Sequence, residues 1–204
     1  MTRLIIATGN AHKVQEIKEA LAKLDLGWDI LSLKDLDEVP EIIEDGTTFA
    51  ENVHKKTAAL AAVYPDDYIM ADDSGLTIAA LNGEPGVYSA RYAGDHDDDA
   101  NNAKVLAKLA GKSGQDRQAQ FTTVLELVGP GKEPLVVSGH VDGQITETEI
   151  GDNKFGYDPI FYYEPLQKTF AQLTVVEKNL ISHRGRALDK LVKALPDWLN
   201  QSGL

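Results

Sequence analysis

Apolar residues fall into two alternating periods along this chain. A short apolar run at 3–8 ends in Gly9-Asn10, as a buried strand does when it enters a turn. Val14, Ile17, Leu21 and Leu24 then recur at spacings of three and four. That spacing predicts an amphipathic helix over 11–25, with Asn10 as its cap. Residues 28–33 read as a second strand, and 34–46 as an acidic loop with Pro40 and Gly46. Thr48-Phe49-Ala50-Glu51 has the form of a capping box, and Phe49, Val53 and Leu60 share one face of the helix that follows, over 49–63. Residues 68–71 predict a strand closed by Asp72-Asp73-Ser74-Gly75, and 75–95 a glycine-rich loop around Pro85. Asp97, Asp98 and Asp99 precede Val105, Leu106 and Leu109, a third helix with acids at its positive end.

The second half turns to period two. Phe121, Thr123, Leu125 and Leu127 alternate through a strand at 119–128. Gly129-Pro130-Gly131 turns the chain, and 134–148 read as one or two further strands of a hairpin or meander. Residues 155–163 are aromatic and partly extended. Ser182 is expected to cap a last helix striped with Leu188, Leu191, Val192, Leu195 and Leu199. Helices and strands alternate early and strands cluster in the middle, so the pattern predicts an α/β or α+β fold with a mixed sheet. No repeat or linker divides the 204 residues, so a single domain of one or two lobes is expected.

Composition narrows the function. Lys and Arg number 20 against 32 Asp and Glu, a net charge of −12, which argues against a nucleic-acid-coating protein. Small anionic ligands remain open, because they need only local positive charge. With no cysteine, disulfide frameworks, cysteine-zinc sites and thiol catalysis are excluded. No apolar run approaches the ~18 residues of a membrane helix, and the start lacks a signal peptide's apolar stretch, so no membrane partner and a cytoplasmic protein are expected.

The familiar phosphate loops are absent. Thr8, Gly9, Asn10, Ala11, His12 and Lys13 instead form a strand–turn–helix junction, where backbone N–H groups, the helix dipole and Lys13 would attract an anion. Thr8 and Asn10 would add side-chain donors. Asp72 and Asp73, adjacent at a strand end, point in different directions, so one could hold a hard cation while the other holds the loop. Glu44 is a further oxygen ligand by type. Asp95, Asp97 and Asp99 resemble a calcium loop only superficially. Ala100 and Leu106 stand where that loop needs Gly and Glu. The five histidines, at 12, 54, 96, 140 and 183, show no metal-ligand spacing. Phe155-Gly156-Tyr157-Asp158 could stack a flat ligand or form an aromatic core. His183 and Arg184 open a helix, and Arg184 offers a fixed-charge donor fork.

Seven stretches together resemble one family. They are TGNAHK at 8–13, EDGTTFAEN at 44–52, ADDSGL at 71–76, GEPGVYSARYAG at 83–94, FGYDPIF at 155–161, EK at 177–178 and SHRGRAL at 182–188. The chain resembles the non-canonical purine nucleoside triphosphate pyrophosphatases, the inosine triphosphatase or Ham1-like family. The resemblance implies an α/β fold, an elongated mixed sheet flanked by helices, with two lobes and a central cleft. It implies hydrolysis of ITP, dITP and XTP to monophosphate and pyrophosphate, with Mg²⁺ as cofactor, in a homodimer. By the same resemblance, Thr8 to Lys13 cradle the phosphates, Glu44 and Asp73 serve the magnesium, and Asp73 also accepts the proton. Ser74, Lys56 and Lys178 would contact substrate. Phe155, Gly156, Tyr157 and Asp158, with His183 and Arg184, would hold the nucleoside. Two other readings are a Maf-like pyrophosphatase of pyrimidine or modified nucleotides and a non-catalytic nucleotide-binding module. FGYDPIF and SHRGRAL argue against the first, and Lys13, Glu44 and Asp73 together against the second.

Overall fold

A computed structural model describes residues 2–94 and 97–201. Asp95 and His96, weighed above as a calcium-loop acid and a scattered histidine, lie outside the described residues. The elements in order are β1 (Arg3–Ile6), α1 (Ala11–Ala22), β2 (Asp29–Ser32), α2 (Phe49–Val63), β3 (Tyr68–Ile78) and α3 (Asp98–Lys108). There follow β4 (Gln118–Val128), β5 (Leu135–Ile145), β6 (Phe161–Tyr163), β7 (Lys168–Thr169), α4 (Val175–Ile181) and α5 (His183–Asn200). The strands hydrogen-bond in the order β2-β1-β3-β4-β5-β6-β7. β2 and β3 run parallel to β1, whereas β6 is antiparallel to β5 and to β7, so the sheet is mixed.

Two compact units divide the chain. One takes the described residues of Met1–Asp73, Thr123–Gly139 and Arg184–Leu204, the other those of Ser74–Thr122 and His140–His183. In the first unit, the two-residue period of the strands sorts side chains to opposite faces. Leu4, Ile6, Met70, Leu125 and Leu127 pack with Ile17 and Leu21 of α1 and with Leu188, Leu191, Leu195 and Trp198 of α5. Ile5, Ala7, Ile69 and Ala71 pack with Val53 and Leu60 of α2. In the second unit a single core joins Leu76, Ile78, Phe121, Val141, Ile145 and Phe161 of the strands to Val105 and Leu109 of α3. Its centre is aromatic, with ring centroids of Phe121 and Phe161 4.5 Å apart and those of Phe161 and Phe170 4.9 Å apart.

Most predicted elements stand, and the exceptions have physical causes. The first helix ends at Ala22 rather than 25, because Asp25 and Gly27 adopt positive φ of 46° and 62° and turn the chain. Asp72-Asp73-Ser74-Gly75 does not close a strand. It is the interior of β3, which continues to Ile78. The reason is that Asp72 is buried against cations, so its charge does not require a turn into solvent. The predicted loop at 75–95 is therefore, over its described residues 75–94, strand first, then two 3-10 turns at Ala79–Leu81 and Gly86–Arg91. Ser182 closes α4 as its C-cap and, in extended conformation, is also the residue immediately before α5. The helix α4 went unforeseen because Val175, Val176 and Leu180 are all exposed, which erases any amphipathic stripe.

The capping box of α2 is present in full: Thr48 Oγ1 accepts from the Glu51 N–H at 3.1 Å, and Glu51 Oε2 accepts from the Thr48 N–H at 3.3 Å. Thr48→Ala should cost about 1 kcal/mol of stability. Urea unfolding with an unchanged midpoint would show that the cap contributes nothing.

Candidate active site

In the first unit the β1–α1 junction is built by local hydrogen bonds. Asn10 Oδ1 accepts from the N–H groups of His12 at 3.0 Å and Lys13 at 3.3 Å. The Asn10 N–H in turn donates to Thr8 Oγ1 at 3.2 Å. The oxygens of Thr8 and Asn10 thus serve as acceptors here, although the sequence suggested donors. An anion arriving at this helix start would compete with Asn10 for two N–H groups. Gly9 and His12 are exposed at the junction. Lys13, one turn into α1, places Nζ 2.8 Å from Asp72 Oδ2.

The two adjacent aspartates of β3 meet different surroundings because consecutive strand residues face opposite sides. Asp72 shares the side of Met70. There it meets Lys13 of α1 and, at 3.6 Å, Nε of Arg184 of α5. Burial alone would raise its pKa. Lys13 and Arg184, with Lys56 behind them, outweigh that effect and hold the carboxyl well below the usual carboxylate range. Asp73 shares the side of Ala71, toward α2, where its Oδ2 accepts from Asn52 Nδ2 at 3.0 Å. Burial pushes the Asp73 carboxyl up. Lys56 and Asn52 oppose the rise, and the nearby Glu44 adds to it. Asp72 is thus a permanently ionised anchor, whereas Asp73 is a carboxylate with raised proton affinity, the property a general base needs.

Asn52 and Lys56 lie one turn apart on α2 and complete the group. Asn52 Oδ1 accepts from the Gly46 N–H at 2.8 Å, tying the loop that carries Glu44 to the residue that holds Asp73. A Cβ on Gly46 would fall 2.6 Å from that oxygen, so only glycine fits there without a shift. Lys56, only 7% exposed, donates to the Asp72 carbonyl at 3.0 Å and pairs with Glu44 Oε2 at 2.7 Å. Arg184 also donates to Glu16 Oε2 at 2.8 Å. Sequence reasoning gave no role to Asn52 or Glu16. Asn52 stood inside a quoted motif, four residues before Lys56, which was the available signal. Glu16 carried none.

The carboxylates fit a hard divalent cation. Glu44 and Asp73 are close enough for the charge of one to raise the proton affinity of the other. Such a cation takes oxygen ligands, and magnesium is usually held by one or two carboxylates plus phosphates. Among the described residues no three His, Asp or Glu side chains gather as a metal cage, and that donor set needs none.

In the second unit, residues 155–158 are pinned one by one. Lys178 Nζ lies 4.9 Å from the centre of the Phe155 ring and pairs with the buried Asp158. Tyr157 is a core residue whose Oη donates to the Ser89 carbonyl at 2.7 Å. Burial pushes its phenol far above the ordinary range, so it stays protonated. The aromatic segment is therefore core at Tyr157 and half-exposed at Phe155 and Gly156. His183 is buried and stacks on Phe121, centroids 4.7 Å apart and planes 10° from parallel. Ser74 is half-buried in β3. Thus Lys13, Lys56, Glu44, Asp73 and Arg184 form one group, and Phe155 to Asp158 form another with Lys178.

Asp72→Asn removes the counter-charge of a nearly buried Arg184 and of Lys13, and should destabilise the protein by about 3 kcal/mol. Urea or thermal unfolding checks this. A variant as stable as the parent would show that Asp72 is not the anchor.

A sequence model of the Ham1 family matches residues 4–194. A protein of Leuconostoc mesenteroides named dITP/XTP pyrophosphatase is 56% identical over 197 residues, covering 97% of this chain and 98% of its own. A protein of the same name from Lactiplantibacillus plantarum is 49% identical, covering 96% and 95%. Among solved structures, the Staphylococcus aureus Ham1 protein aligns with a TM-score of 0.86 at 41% identity, over 96% of this chain and 99% of that one. A Coxiella burnetii HAM1 protein aligns with a TM-score of 0.88 at 41% identity, over 97% and 100%.

Proposed function

The chain belongs to the Ham1 family, and from that premise we propose that it hydrolyses dITP, XTP and ITP to the monophosphate and pyrophosphate. The observation that carries the mechanism is the contrast between the two aspartates of β3. The products require cleavage of the α–β phosphoanhydride by water. Asp73, with its raised proton affinity, accepts the proton of the attacking water, and Asn52 holds the carboxylate in place. Asp72 takes no proton; it fixes Lys13 and Arg184.

Lys13 and Lys56 bind the phosphates, together with the junction from Thr8 to His12. Three cations, Lys13, Lys56 and Arg184, here face four carboxylates, Glu16, Glu44, Asp72 and Asp73, so the group alone cannot neutralise a triphosphate. This charge deficit supports Mg²⁺ as cofactor, held by Glu44 and Asp73. When bound, it supplies the missing positive charge on the phosphates. The nucleoside falls to Phe155, Gly156, Tyr157, Asp158, Lys178, Ser74 and His183. The family resemblance also assigns Arg184, a fixed-charge donor fork, to the nucleoside.

The same reading makes the whole chain one two-lobed catalytic domain, supported by the long strands β3, β4 and β5, each of which contributes residues to both compact units. It also takes the protein as a homodimer in the cytoplasm. The homodimer rests on the family resemblance. The location accords with the finding that no helix among the described residues is long and apolar enough to cross a membrane.

Pyrophosphate release from dITP and XTP with Mg²⁺ tests the activity. EDTA should abolish turnover, and Asp73→Asn should lower kcat by about 10²-fold or more. Full turnover in EDTA would remove the metal from the account, and a variant as fast as the parent would remove Asp73.

The proton affinities can be read directly. In the metal-free enzyme, carbon-13 NMR should show Asp73 titrating above the ordinary aspartate range, because burial and Glu44 disfavour its charge. In that metal-free state Asp73 is deprotonated only as pH rises through its raised value, and it regains the proton as pH falls through the same point. Asp72 should stay ionised across this range. The two titrating together would refute the division of roles.

A further inference from the structure

We propose that Asp98 and Asn102, one turn apart on α3, are positioning residues that set substrate affinity by fixing the peptide groups on either side of Gly156. The inference rests on the functional reading above, which gives residues 155–158 to the nucleoside. Asp98 Oδ2 accepts from the Gly156 N–H at 2.8 Å. Asn102 Nδ2 donates to the Gly156 carbonyl at 3.0 Å. The N–H belongs to the peptide joining Phe155 to Gly156, and the carbonyl to the peptide joining Gly156 to Tyr157. One helix face therefore clamps both peptide planes about a single Cα. Positions i and i+4 supply the spacing this needs.

Gly156 is the residue where the clamp matters most. Its φ is +55°, in the left-handed region that glycine enters without penalty but shares with many other conformations. A Cβ at Gly156 would meet nothing within 4 Å, so packing does not hold the turn. The neighbours are fixed by other means, Phe155 beside Lys178 and Tyr157 through Ser89, and Gly156 is the free swivel between them. Asp99 adds an ion pair at 3.7 Å to Lys154, just before the segment.

Asn102 carries a second sign. It is 1% exposed, and its Oδ1 is buried without a hydrogen-bond partner among the described residues. Leaving such an oxygen unsatisfied is unfavourable, and an apolar residue would avoid it. An apolar residue would, however, leave the Gly156 carbonyl without this donor, so the amide's task is its hold on Gly156. Asp98, read from the sequence as a helix-start acid, has this second task as well.

The test is steady-state kinetics of the full chain with dITP, XTP and dATP. Asn102→Ala and Asp98→Ala should each raise KM for dITP about tenfold, the worth of one hydrogen bond, with kcat within about threefold of the parent. Both should also narrow the preference for dITP over dATP. Asp98→Asn keeps an acceptor for the Gly156 N–H and should restore most of the KM. Exchange of the Gly156 amide proton should quicken in Asp98→Ala and slow again in Asp98→Asn. A merely structural role would lower the active fraction and hence kcat, leaving KM in place. That result, or an unchanged KM in an active parent background, overturns the positioning role alone. A parent that turns over neither dITP nor XTP overturns the functional reading, and the positioning role with it.

Discussion

The ion pairs of Asp72 organise the first unit. A carboxylate in the middle of a strand, 1% exposed, is tolerated only because Lys13 from α1 and Arg184 from α5 reach it while Lys56 from α2 takes its backbone carbonyl. Three helices are thereby registered on one residue of β3. Burying a charge costs several kcal/mol unless it is paired and hydrogen-bonded, so these partners are conditions of the fold as well as parts of the proposed site. The next residue inherits the consequence. With Asp72 directed to the α1 and α5 side, the pleat delivers Asp73 to the α2 side, where Asn52 and Glu44 wait. Two identical side chains, adjacent in sequence, acquire opposite proton affinities from the alternation of a strand.

The α2 helix converts this registration into geometry. Its capping box fixes where the helix begins, and Asn52 and Lys56 then appear one turn apart on the buried face. Asn52 ties the backbone of Gly46 to the carboxylate of Asp73, and Lys56 ties Glu44 to the carbonyl of Asp72. Each side chain thus bridges the loop before the helix to the strand after it. The acidic loop 36–48 has little regular structure of its own. It is held at its end by these two side chains, which is how an irregular segment can present Glu44 reproducibly.

Much of this was legible in the sequence, and the failures are informative. Period and caps located α1 to α3, β4 and the stripe of α5, because each has a strong local signal. The family motifs pointed to Lys13, Glu44, Lys56, Asp73 and the 155–158 segment, and those residues do stand in two polar groups. Local rules failed at Asp72-Asp73-Ser74-Gly75, which has the composition of a turn and the structure of a strand. No local rule contains Lys13 and Arg184, residues 59 and 112 positions away, and they make the strand possible. The exposed apolar face of α4 hid a helix from a method that seeks amphipathic stripes. Glu16 and the clamp on Gly156 gave no local signal, because their meaning lies in partners distant along the chain.

The charge arrangement explains how an acidic protein can be ready for an acidic ligand. Each cation of the first group is already held by carboxylate or carbonyl oxygens: Lys13 by Asp72, Lys56 by Glu44 and the Asp72 carbonyl, Arg184 by Glu16. In the proposed reading, phosphate oxygens enter an array whose cations are oriented beforehand, so binding exchanges or adds oxygen partners instead of gathering mobile side chains. Preorganised charge of this kind stabilises a developing negative charge without reorganisation at the moment of reaction. It also disfavours indiscriminate capture of anions. A lone phosphate must compete with carboxylates already in place, whereas a triphosphate accompanied by a divalent cation brings enough ligands and charge to displace them.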